Sequence, residues 1–177
     1  MDWPRRLEVQ IDGARTAFAF PIAICAIKFH ETTKQRSEKD FAMTSMTVEL
    51  RSVEATEAAM GWAGEHTIVV DRPNGKAGGL GLGFNGAQLL ALAIGGCFCN
   101  DLRYVAHQMG VELAKIAVSV TVELDGDPLI TTAASMVVSC QTADGTDPDK
   151  IVEKAKASCM VSNSLKRGVP ISIQTPA

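Results

Sequence analysis

The chain has 177 residues, 46% of them hydrophobic and 21% charged, and carries a formal net charge of −3. That is one domain's worth of chain, with enough apolar residues to bury a core. The slight acidity gives no electrostatic reason to expect nucleic acid or a membrane surface as partner. No uninterrupted apolar run reaches the roughly 18–20 residues that a bilayer span requires, so no membrane segment is expected.

Residues 1–42 differ in texture from the rest. They run from MDWPRRLEVQ through the apolar TAFAFPIAICAI to the polar KFHETTKQRSEKD. Arginines ahead of a short apolar stretch imitate a secretory signal. Asp12 and Arg15 crowd that stretch, however, Pro21 interrupts it, and no small-x-small cleavage site follows. The segment reads as an atypical, loosely ordered N-terminal extension of a domain over 43–177, or as residues upstream of a true start at Met43 or Met46.

From Met43 the patterning is regular. MTVELRSV alternates like a half-buried strand, and HTIVVD at 66–71 is a second β-rich segment. The glycine-rich NGKAGGLGLGFNG at 74–86 contains Gly81-x-Gly83-x-x-Gly86, the spacing of a dinucleotide fingerprint. The loop carrying Pro73 and Gly75 separates it from the preceding strand, so the glycines are better explained by close backbone approach. AQLLALAIGGCFCNDLRYVAHQMG then predicts one long helix closed by Gly110. Its first half is apolar on every side, which places it at the centre of the fold or in a subunit interface.

KIAVSVTVEL at 115–124 alternates strictly, with Ile116, Val118, Val120, Val122 and Leu124 on one face. DGDP supplies a turn, and LITTAASMVVSC at 129–140 returns as the second arm of a hairpin. Asp147-Pro148 opens a second helix, IVEKAKASCMVSNSLK, which stops at Gly168, and VPISIQT at 169–175 reads as a final strand. Strands, long helix, hairpin, helix, strand is an α+β order rather than alternating βαβ.

The five cysteines are Cys25, Cys97, Cys99, Cys140 and Cys159. An odd number at irregular spacing does not suit a secreted disulfide framework, and a reducing cytoplasm is the expected home. No C-x-x-C occurs, and His30, His66 and His107 stand at no zinc-finger spacing, so no metal is expected. Cys97 and Cys99 point to opposite sides of a helix, since two residues turn it by about 200°. One of them is therefore packing. The Gly95-Gly96 pair in front of them costs about 1 kcal/mol per glycine in a helix interior, a cost retained where something must come close. Cys159 lies on the second helix. A redox pair with it and inert packing both remain open on composition and spacing alone.

Two blocks carry a family resemblance. HTIVVDRPNGKAGGLGLGFNGAQLLALAIGGCFCNDLRYVAHQMGVEL resembles the signature half of the OsmC/Ohr family, whose pattern is "vDxP…GG…NP-x-LL-x-AL-x-x-C". ASCMVSNSLKRGVPI is similar to its second block, "A-x-x-CPvSNtL", and the likeness spans about residues 45–175. The resemblance implies antiparallel sheets packed around a long buried helix and a second helix, in an intertwined homodimer. It also implies a thiol peroxidase that reduces organic hydroperoxides, with Cys97 attacking and Cys159 resolving the sulfenic acid. No bound cofactor is implied; an external dithiol, of the lipoyl-bearing protein kind, is the electron donor. Leu89, Leu90, Leu92 and Ile94 would give the site apolar walls.

Several positions depart from the pattern. Ala87 stands where the family has a glutamate that orients an arginine, with Gln88 alongside; Gly86 and Met160 replace two prolines. Arg51 is the best match for the arginine, with Arg72 second. Asn163, four residues past Cys159, shares its helix face and is placed to position the second thiol or to act as an interface amide. The departures keep a second expectation in view: a family member with weak or no peroxidase activity, acting as a binding or structural domain.

Overall fold

The computed structural model describes residues 44–175; the expectations for residues 1–42 lie outside them. Three short strands, β1 (Glu49–Ser52), β2 (Ala59–Ala63) and β3 (His66–Val70), form an antiparallel sheet in that order. A loop leads to α1 (Gly86–Gln108). The hairpin of β4 (Leu113–Asp125) and β5 (Ile130–Thr142) follows, then α2 (Asp149–Ser158) and α3 (Met160–Arg167). The α+β class expected from the sequence is observed, with an added strand, a divided second helix and, among the described residues, no strand after it.

Sequence patterning does not single out β2. AMGWA is poor in β-branched residues and forms a strand only because it is paired on both sides, to β1 and to β3. A two-residue turn at Gly64 and Glu65, with Gly64 at φ +61°, closes the β2–β3 hairpin. β1 is shorter than the predicted strand and exposed along its whole length rather than half-buried. The sheet has no substantial packing partner among the described elements.

Asp71, buried at the end of β3, organises the loop that follows. Its carboxylate accepts the backbone N–H groups of Arg72, Leu80 and Leu82 at 2.7, 3.0 and 3.0 Å. Those bonds, led by the one from Leu82, hold its pKa below the usual carboxylate value against the effect of burial. The glycines of the loop serve proximity to β3. A side chain on Gly83 would run into the Val69 carbonyl, and one on Gly79 into Arg72. Phe84 then bonds back to Val69 and Asp71, and Asn85 caps α1. The Asn85 side chain accepts from the Gln88 N–H at 3.0 Å, while Gln88 Oε1 accepts from the Asn85 N–H at 2.9 Å.

At 23 residues α1 is long and apolar enough, by length and composition alone, to cross a bilayer, which the absence of an unbroken apolar run does not anticipate. Its principal partners are β4 and α2, the position of a core helix. Burial follows the stripe Ile94, Phe98, Leu102, Val105 and Ala106, at helical spacing. Of the two places expected for the apolar first half, the centre of the fold or a subunit interface, the chain itself does not enclose it fully: Leu92 is 50% exposed. The hairpin obeys its predicted alternation, with Ile116, Val118, Val120 and Val122 half-buried opposite Cys140, Val138, Met136 and Ala134. Gly95 lets α1 reach this face; a Cβ there would stand 3.0 Å from Val120 Cγ2.

The second predicted helix is two. Cys159 adopts φ −56°, ψ 109° and separates α2 from α3, so the chain turns where the periodic pattern runs on unbroken. Asp147 still accepts the free Asp149 N–H at 3.0 Å, although Pro148 occupies the cap position. Gly168 ends α3 at φ +74°, as expected. The predicted strand at 169–175 is absent. A strand needs a neighbour to bond, and this segment is paired with none among the described residues, leaving Ile171 and Ile173 87% and 92% exposed.

The approach at Gly95 sets a test. Gly95→Val overpacks the contact with Val120 and is expected to cost about 1–3 kcal/mol in urea unfolding. Gly95→Ala should be close to neutral, because its helix-propensity gain of about 1 kcal/mol offsets the tight contact.

Candidate functional site

The core is built from the α1 stripe packed on Ile151 and Ala155 of α2, and Cys159 completes it. Phe98, Leu102, Ile151 and Cys159 are the largest fully buried side chains. Cys97 lies one residue before Phe98 in α1, and its half-buried side chain packs against the same cluster. The two cysteines that the resemblance singles out therefore meet. The Cys97 and Cys159 sulfurs and a carboxylate oxygen of Asp101 all lie within 4.8 Å of one another. Both thiols are free.

Asp101 is the residue that sequence reasoning missed. It stands four positions after Cys97, one turn along the same face of α1, and its Oδ2 accepts from Cys97 Sγ at 3.6 Å. The C-x-x-x-D spacing was the available signal. The break at Cys159 adds a second feature. It leaves the first amides of α3 without helical partners, and the Val161 amide lies near enough to the Cys97 thiol to favour its ionised form.

These neighbours act on the Cys97 thiol in opposite directions. Burial pushes its pKa above the ordinary thiol value, the Val161 N–H pulls it down, and Cys159 and the Asp101 charge raise it further. The net direction is upward. No arginine or lysine figures among the groups acting on Cys97 in the described residues. Burial likewise raises the Cys140 thiol, on β5 opposite Ile116. Cys99, half-buried on α1, takes no part in the cluster around Cys159.

The supporting residues stand elsewhere. Arg51, on the exposed β1, pairs with Glu49 at 3.0 Å. Arg72 pairs with Glu57 at 2.9 Å. Gln88 spends its carbonyl oxygen on the helix cap, nine residues and about 13.5 Å along the axis from Cys97. Asn163 is closer in effect. Its Nδ2 donates to the Ala157 carbonyl at 3.0 Å, and its N–H to the Cys159 carbonyl at 3.0 Å, so it ties α3 back across the break.

A cleft of about 570 Å³ reaches Cys159. Leu90, Ile94 and Phe98 of α1 give it an apolar wall, Met136 contributes from β5, and Lys156 and Lys166 stand at its lining. Of the four residues expected as apolar walls, Leu90 and Ile94 line this cleft, while Leu89 and Leu92 do not.

Comparison with known proteins fits this architecture. The family model described as OsmC-like protein matches residues 77–174, more than half of the chain. No curated protein matches. Among solved structures, an OsmC-like protein from Mycoplasma pneumoniae is 14% identical with a TM-score of 0.58, covering 70% of this chain and 88% of its own. An organic hydroperoxide resistance protein OsmC from Legionella pneumophila is 20% identical with a TM-score of 0.52, covering 71% and 91%. An organic hydroperoxide resistance protein from Elizabethkingia anophelis is 16% identical with a TM-score of 0.53, covering 71% and 91%. At these identities the neighbours establish the fold. With the family model covering both cysteines and the helix that joins them to the core, the chain belongs to the OsmC-like protein family.

Proposed function

We propose that the chain is a thiol-dependent peroxidase that reduces organic hydroperoxides to alcohols, with Cys97 attacking and Cys159 resolving. The observation that carries this reading is the meeting of the two sulfurs, one half-exposed and one buried. The Cys97 thiolate attacks the distal peroxide oxygen, breaking the O–O bond. Alkoxide leaves and takes up a proton to become the alcohol, while Cys97 becomes a sulfenic acid. The Cys159 thiol condenses with it, releasing water and forming the disulfide. An external dithiol, of the kind a lipoyl-bearing protein presents, returns both thiols. The apolar cleft beside Cys159 favours a bulky organic peroxide over hydrogen peroxide.

The acidic neighbour sets the expected rate. A thiol surrounded by burial, a second thiol and a carboxylate is mostly protonated at neutral pH, so turnover there is slow and rises with pH.

A homodimer belongs to the same proposal. β1 is exposed along its length, Leu92 lies half-exposed on the apolar first half of α1, and Ile171 and Ile173 are almost fully exposed. A second copy is the occupant that would bury them. Sedimentation should give twice the chain mass, and Leu92→Glu should shift it toward monomer.

Stoichiometric cumene hydroperoxide should consume two thiols per reduced chain. Cys97→Ser should abolish that loss. Cys159→Ser should leave a sulfenic acid that a dimedone probe traps. Equal turnover of hydrogen peroxide and cumene hydroperoxide would remove the assignment of the cleft.

Iodoacetamide reports the ionisation of Cys97 directly. Alkylation should rise as pH climbs beyond the ordinary thiol value of about 9. Asp101→Asn deletes one of the causes raising the thiol, so its profile should move to lower pH and its neutral-pH rate should increase. The same sign governs stability. The elevated thiol contributes below its ordinary value, and that contribution is lost as pH rises through the folded value.

A further inference from the structure

Cys97, Asp101 and Cys159 bring two sulfurs and one carboxylate oxygen within 4.8 Å of one another, contributed by α1 and by the break between α2 and α3. We propose that these three side chains form a binding site for a thiophilic divalent cation of the zinc class, taken up by the reduced protein. The inference stands on the positions of the ligand atoms and does not depend on the peroxidase reading.

The spacing matches the metal. A tetrahedral ion with Zn–S near 2.3 Å and Zn–O near 2.0 Å sets its sulfur and oxygen ligands about 3.5 Å apart, and two sulfurs about 3.8 Å apart. Cys97 Sγ and Asp101 Oδ2 already stand at 3.6 Å. The three ligand atoms fall within a span that small rotations of χ1 can close around one ion. Two sulfurs and one carboxylate are a soft, anionic set, suited to zinc or cobalt and not to magnesium or calcium, which take oxygen ligands.

The surroundings also fit. Cys159 is fully buried, while Cys97 and Asp101 are half-exposed, so the core holds one ligand and the solvent side leaves room for a fourth, a water. The Val161 amide near Cys97 is placed to act as an outer partner of a metal-bound thiolate. Cys97 and Asp101 share one face at i and i+4, a spacing rigid enough to preset two ligands. Metal-ligand spacing in the sequence could not reveal this site, because its third member lies on a separate element.

The test uses the reduced full-length chain with cobalt(II) and no peroxide present. Cobalt should produce sulfur-to-metal charge-transfer absorption that saturates at one ion per chain, and added zinc should bleach it. Cys97→Ser should lose the absorption while its circular dichroism stays native. Asp101→Asn, which keeps both sulfurs, should retain the absorption but require more cobalt to saturate. Absence of charge-transfer absorption in the reduced wild-type chain overturns the site. So does absorption that survives Cys97→Ser, which would place the metal adventitiously on other thiols, or saturation unchanged by Asp101→Asn. A chain that binds cobalt as described yet ignores hydroperoxide would remove the peroxidase reading and leave the cation site standing.

Discussion

The packing of α1 against α2 is what positions the candidate site. Phe98 and Leu102 press on Ile151 and Ala155, and Cys159 fills the end of that contact without any exposure to solvent. Free cysteine behaves as a small apolar residue in such a place, so the hydrophobic effect alone seats its sulfur. Cys97 precedes Phe98 and so arrives beside that sulfur as a by-product of core formation. No disulfide or designed polar network is needed to bring the two thiols together.

The hairpin supplies the opposing surface. β4 meets α1 at Gly95, where the missing side chain permits an approach that Val120 would otherwise block. This accounts for one of the two adjacent glycines. At Gly96 a Cβ would meet nothing within 4 Å in the described chain, so close approach within the chain does not explain it. In the preceding loop Gly83 is explained in the same way by Val69 of β3 and Gly79 by Arg72, and Asp71 ties that loop down through backbone bonds.

Elements with a strong local signal were readable from residues alone. The alternation of Ile116 to Val122, the Gly110 end of α1 and the stop at Gly168 all reflect local chemistry that the fold leaves unaltered. What the sequence could not show depends on distant partners. β2 exists by pairing, not by propensity. The segment at 169–175 has strand-like alternation and no neighbour to bond among the described residues. At the site, the family resemblance identified the two cysteines, but Asp101 went unnoticed because an acid inside a helix is usually a solvated one. The break at Cys159 left no glycine or proline to announce it, since Met160 follows the cysteine.

That break has a mechanical consequence. Because the chain leaves helical geometry at Cys159, α3 is hinged on the very residue whose sulfur anchors the core, and the amide bonds of Asn163 act as its latch. Tilting α3 would carry the Val161 N–H away from the Cys97 sulfur while leaving the buried helix pair intact. One part of the outer thiol's electrical environment is thus tied to the placement of one short helix, while the largest part, burial, comes from the packed core.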